Sequence, residues 1–81
     1  MTDRSSRVLL VGRDGCHLCD DARAIVAEVC GRVGVAWTEA SIDDDEALRA
    51  AYWERIPVVL VDGVPVDFWR VDPVRLAAAI G

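Results

Sequence analysis

Two sulfurs, Cys16 and Cys19, stand in the run Val8-Leu9-Leu10-Val11-Gly12-Arg13-Asp14-Gly15-Cys16-His17-Leu18-Cys19, where an apolar strand passes through a short polar loop into a CxxC pair. At the start of a helix, unpaired backbone N–H groups and the positive dipole end favour a thiolate, and a partner three residues on can close a small disulfide ring. One cysteine then attacks a disulfide and the other resolves the product. Such a setting can lower a thiol from about 8.5 to roughly 3.5–7.5, and the thiolate fraction governs the exchange rate. Arg13 and a protonated His17 favour the anion while Asp14, Asp20 and Asp21 oppose it, so the expectation is moderate acidification. Burial of Cys19 in the helix would make Cys16 the attacking thiol.

The elements that must position these sulfurs can be read in order. Arg7 to Gly12 is short and apolar, which predicts a buried strand. From Cys16 onward Leu18, Ala22, Ile25, Val26, Val29, Cys30 and Val33 recur at helical spacing, with Asp20, Asp21 and Glu28 opposite, and the helix should end near Gly31 or Gly34. Val35 to Ile42 reads as a second strand, joined by a right-handed parallel crossover. Asp43-Asp44-Asp45-Glu46 could be mistaken for a cation site; a helix start explains it better, with Asp43 as N-cap and Glu46 closing a capping box. That helix should run to Tyr52 or Trp53. Ile56-Pro57-Val58-Val59-Leu60-Val61, the turn Asp62-Gly63 and Val64-Pro65-Val66 form a hairpin signal, and Pro65 places the last strand at an edge. Asp72-Pro73 then fits N-cap and first helical residue, with Val71 and Leu76 as a staple and Leu76, Ala77 and Ile80 on the buried side. The order is βαβαββα.

Eighty-one residues, 53% of them apolar, accommodate one small core and one domain, taken as residues 7–81 after a flexible segment 1–6. Fourteen acids against nine arginines, a formal charge of −5, disfavour nucleic acid, and no apolar run is long enough to span a membrane. Met1 to Arg7 lacks the apolar centre of a signal peptide, so the expected location is the cytoplasm, where a CxxC is more often catalytic or metal-binding than structural.

The order of elements, the CxxC at the first strand-to-helix junction and Ile56-Pro57 opening the third strand together resemble the thioredoxin fold, and within it a small glutaredoxin-like protein. The resemblance spans roughly Arg7 to the C-terminus. It implies an α/β fold with a four-stranded mixed sheet flanked by helices. It further implies that Pro57 is cis and faces the attacking cysteine, and that the backbone of Ile56 pairs with an extended substrate. Arg13 stands three residues before Cys16, where glutaredoxins carry a lysine that helps hold the glutathione carboxylate, a role a guanidinium could keep. The glycine pair that glutaredoxins place before their last helix is replaced by Asp67-Phe68-Trp69-Arg70, whose bulk would change or block the pocket for the glutathione backbone. The intervening dipeptide His17-Leu18 is neither the Pro-Tyr of glutaredoxins nor the Gly-Pro of thioredoxins.

The first expectation is thus a thiol–disulfide oxidoreductase, monomeric and without a bound cofactor. Its partners would be a disulfide-bearing protein or small thiol, and its reductant glutathione, another low-molecular-weight thiol or a thiol reductase system. A second expectation is an iron–sulfur or metal carrier that pairs Cys16 from two chains with an external thiol; a third is a redox-inactive interaction module. A structural zinc needs four ligands, which one CxxC and one histidine do not supply. Cys30, about 16 Å along the helix from Cys19, is read as a core residue. His17 either supports the thiolate or faces solvent. Trp53 and Trp69 either pack or recognise, and Trp69, in a loop expected near Cys16, is the better candidate to touch a substrate.

Overall fold

In the computed structural model, which describes residues 6–81, the chain follows the expected order. The elements are β1 (Ser6–Gly12), α1 (His17–Val33), β2 (Ala36–Ser41), α2 (Glu46–Tyr52), β3 (Val58–Val61), β4 (Val64–Phe68) and α3 (Pro73–Ile80). All but the last residue of the N-terminal segment expected to be flexible lies outside the described residues. Among these residues no helix is long and apolar enough to cross a membrane.

β1 lies inside a sheet of order β2-β1-β3-β4, parallel to β2 and antiparallel to β3. Both its faces are covered, which is why it reads as a continuous apolar run rather than an alternating one. Side chains still alternate between the faces. Val8 and Leu10, with Val59 and Val61 of β3, meet Ala22, Val26, Val29 and Cys30 of α1 and Leu76 and Ile80 of α3. Val11, with Val58 and Leu60, packs on the opposite face with Ile42, against which Leu48 and Tyr52 of α2 are laid. One layer holds α1 and α3, the other only α2.

Local chemistry sets most boundaries. Gly34, at φ 77°, caps α1, and its N–H bonds to the Cys30 carbonyl, so the helix passes through Gly31. Val33 falls on the exposed side rather than the expected apolar face, because Gly34 ends the helix before that last turn is covered. Asp62 and Gly63 both take positive φ, as the tight turn between twisted strands demands. Asp72 accepts from Val74 and Arg75 N–H groups at 2.8 and 3.3 Å, and Pro73 follows as expected.

Three boundaries differ by two residues from the sequence reading; β3 begins at Val58, after the Ile56-Pro57 pair rather than with it. The N-cap of α2 is Asp45, not Asp43: its carboxylate accepts from the Leu48 N–H at 3.1 Å. Ser41 takes the earlier residues into a turn, its hydroxyl accepting from Asp43 N–H and its carbonyl from Asp44 N–H, both at 3.1 Å, which delays the helix by two residues. β4 continues past Val66 to Phe68 because the register shifts between Val59 and Leu60, bringing Asp67 opposite Val59. It is an edge strand, as Pro65 requires.

Candidate functional site

Cys16 is the N-cap of α1, with extended backbone at φ −108° and ψ 114°, and Gly15 before it turns the loop at φ 73°. The Cys16 Sγ occupies the place of a capping oxygen and accepts the Cys19 N–H at 3.2 Å. A backbone donor thus meets the sulfur, in a geometry that favours negative charge on it. Cys16 is half-buried; Cys19, one turn on, is fully buried, and both are free thiols.

Burial pushes the Cys19 thiol up from 9.0 to about 11, reinforced by its hydrogen bond with the Cys16 sulfur and opposed by the nearby Arg13 backbone amide. At neutral pH Cys19 therefore holds its proton. A value higher in the folded chain than in the unfolded one means that folding retains a proton which unfolding releases. The associated stability is complete below pH 9 and is lost as pH climbs through about 11. The reduced protein should lose on the order of 2 kcal/mol over that window, seen as a falling Tm. Cys19→Ala should flatten the fall, leaving only the smaller contribution of Cys30, whose thiol burial also raises. An unchanged fall in Cys19→Ala would refute the assignment.

The other expected site residues separate into two groups. Pro57 is buried and its bond to Ile56 is cis. Ile56 is half-buried against the α2 side of the core. The Pro57 carbonyl accepts the Trp69 N–H at 2.8 Å, and the indole N–H of Trp69 donates to the Glu54 carbonyl at 3.1 Å. These two bonds hold Trp69 at φ 60°, a left-handed conformation that costs a residue with a Cβ roughly 1–2 kcal/mol, while the residue stays 57% exposed. Trp69 also forms one wall of a groove of about 200 Å³ shared with Leu18, Ala22, Ile25 and Val71, so it borders the CxxC segment. Arg13 opens instead onto a cleft of about 580 Å³ between the β1–α1 loop and α2, with Arg49, Asp43, Glu46 and Trp53 on its walls. His17 is exposed on the first turn of α1.

Two further residues shape the site: Asp67, expected only as bulk in place of the glycine pair, and Gly12, expected only as a strand end. Asp67 is buried, 6% exposed, yet fully partnered: it accepts from the N–H groups of Phe68 at 3.0 Å and Asp72 at 2.8 Å, with the Arg75 guanidinium at 3.5 Å. It ties the end of β4 to the cap of α3 and so fixes the loop that carries Trp69. The sequence signal is weak: Asp67 follows the predicted strand directly, where an exposed loop acid is the ordinary expectation. Gly12 lies against Cys19: a Cβ built on it would stand 2.9 Å from the Cys19 Sγ. Its signal was a glycine ending a strand of bulky residues. Among the described residues no group of three or more His, Cys, Asp or Glu side chains is placed to hold a metal ion.

Comparison with known proteins identifies the family and the fold. Residues 7–81 match the model of the Glutaredoxin-like domain (DUF836). An uncharacterized protein of Mycobacterium tuberculosis is 34% identical over 79 residues, covering 91% of this chain and 81% of that protein. A structural-genomics target protein from X. campestris superposes with a TM-score of 0.72 at 42% identity, over 88% of this chain and 91% of that one. A mutant thioredoxin from Halobacterium salinarum gives 0.62 at 26% identity, over 93% and 73%. The βαβαββα chain, with its cysteine pair at the mouth of α1 and its cis-proline before β3, therefore belongs to the glutaredoxin-like family of the thioredoxin-fold superfamily.

Proposed function

We propose that the protein is a thiol–disulfide oxidoreductase in which Cys16 attacks and Cys19 resolves. The observation that supports this most is the asymmetry of the pair: a half-exposed sulfur capping α1, and a buried thiol beneath it that stays protonated at neutral pH. The Cys16 thiolate attacks one sulfur of a disulfide, forming a mixed disulfide and releasing the other half as a thiolate. Cys19 then gives up its proton and attacks the Cys16 sulfur, closing the internal disulfide and releasing the second half. Two electrons pass from the cysteine pair to the substrate, and the two protons end on the released thiols. An external thiol, glutathione or another low-molecular-weight thiol, or a thiol reductase, returns the pair to the dithiol.

In this reading the substrate is a protein or small-thiol disulfide met in the reducing cytoplasm by a monomer. The Ile56 backbone beside Pro57 receives an extended segment. Trp69 gives that segment an apolar wall, while Arg13, on the separate cleft beside α2, and the exposed His17 meet charged groups of the substrate beyond it.

Equilibration across a series of thiol redox buffers, followed by trapping of free thiols and intact-mass measurement, tests the proposal. The expected result is one reversible two-electron transition between dithiol and Cys16–Cys19 disulfide, at roughly −180 to −280 mV. Thiols that remain free throughout, or that form only scattered adducts, would refute it.

A further inference from the structure

We propose that Gly12 is the positioning residue of the resolving thiol: its bare Cα, beside the Arg13 amide, leaves the seat that keeps the Cys19 sulfur against Cys16. This rests on the thiol-exchange reading and adds to it a residue outside the CxxC pair. Backbone conformation does not explain the glycine. Gly15, Gly34 and Gly63 take positive φ, whereas Gly12 does not and continues β1 as regular strand. Space does explain it. A Cβ at position 12 would come within 2.9 Å of the Cys19 Sγ, closer than such atoms approach, and within 3.2 Å of its Cβ, a tight contact.

Neither side of that contact can retreat at low cost. Gly12 is paired with Ser41 across the sheet, and its carbonyl accepts the Ile42 N–H at 2.9 Å, so the strand end is pinned. Cys19 is fully buried on α1, where only two χ1 rotamers are readily open, so a displaced sulfur swings into its neighbours or away from Cys16. The resolving step needs the Cys19 thiolate in line with the mixed disulfide on Cys16, and an error of about 1 Å in such an approach can cost about 100-fold. Attack by Cys16 on an external disulfide depends on the Cys19 sulfur only through the hydrogen bond between the two sulfurs, whereas closure needs that sulfur as the nucleophile. The two half-reactions should therefore respond differently to a methyl group at position 12.

An aromatic disulfide that releases a coloured thiolate, mixed with reduced protein in a stopped-flow instrument, separates them. The first release reports attack by Cys16 and the second reports closure by Cys19. For Gly12→Ala the first release should stay within about threefold of wild type, while the second slows about 10- to 100-fold and the mixed disulfide accumulates in intact-mass spectra. Two releases at wild-type rates would overturn the role of Gly12. A wild-type protein with no first release would instead fail the thiol-exchange reading itself. Where Gly12→Ala destabilises the fold, Gly12→Ala combined with Cys19→Ala removes the offending sulfur: the drop in Tm caused by the methyl should shrink in that background, and an equal drop in both would count against the seat.

Discussion

Cys16→Ser is expected to abolish disulfide turnover, a loss on the order of 10³-fold or more, because a hydroxyl at neutral pH supplies no nucleophile comparable to a thiolate. The fold should survive, since serine is a good N-cap and its oxygen can accept the Cys19 N–H that the sulfur now accepts. Cys19→Ser should behave differently. Its Cys16 still attacks, but nothing closes the ring, so the protein stops as a covalent mixed disulfide that intact mass reads directly. Intact mass of the two variants after reaction with the same disulfide, with no external thiol added, separates the roles. An adduct on Cys16→Ser, or none on Cys19→Ser, would overturn the assignment of attacker and resolver. Because a buried hydroxyl needs a hydrogen-bond partner, Cys19→Ala is the companion that distinguishes a missing resolver from a disturbed core.

Leu76→Ala should produce one of the largest losses of stability that a single side-chain truncation can cause, since Leu10 and Leu76 are the largest fully buried side chains. Leu76 is fully buried and binds α3 into the layer formed with α1 and the sheet. Truncations of this kind cost about 2–5 kcal/mol, while a chain of this length commands only about 4–12 kcal/mol in total at ordinary stability per residue. A helix of eight residues has little stability of its own, so α3 depends on Leu76 and Ile80 for its place. Loosening it also loosens the Asp67–Asp72 bond at 2.8 Å and with it the loop that carries Trp69. Chemical denaturation should show a markedly lower midpoint for Leu76→Ala. Val74→Ala, on the same helix at 76% exposure, should change stability by no more than about 0.5 kcal/mol. Similar losses at the two positions would show that α3 is not held by the packing described here.

Local pattern determined a great deal of this protein without help from the fold. The spacing of Cys16 and Cys19, the apolar run before them and the helical repeat after them place a cysteine at the start of a helix. Asp62-Gly63, Pro65 and Asp72-Pro73 locate a hairpin, an edge strand and a helix start. Each is a rule that acts over a few residues, through φ, a missing N–H or a side chain that caps its own neighbours. The N-cap of α2 escaped such a rule. Asp43, Asp44 and Asp45 are equally good caps, and the choice fell to the Ser41 turn at the end of β2.

What only the tertiary structure decided is how distant stretches meet. Gly12 touches the Cys19 sulfur because sheet pairing fixes the end of β1 beneath the first turn of α1. Trp69 is bound by Pro57 and Glu54, and Asp67 becomes a buried tie to Asp72, because the shifted register of β3 and β4 extends the pairing to Phe68 and sets Asp67 opposite Val59. The rise of the Cys19 thiol to about 11 has the same origin, since burial, its largest cause, belongs to the packed core and not to the CxxC motif. Spacing along the chain sets which group can act; the environment that tunes and aims it comes from residues that only the sheet brings within reach.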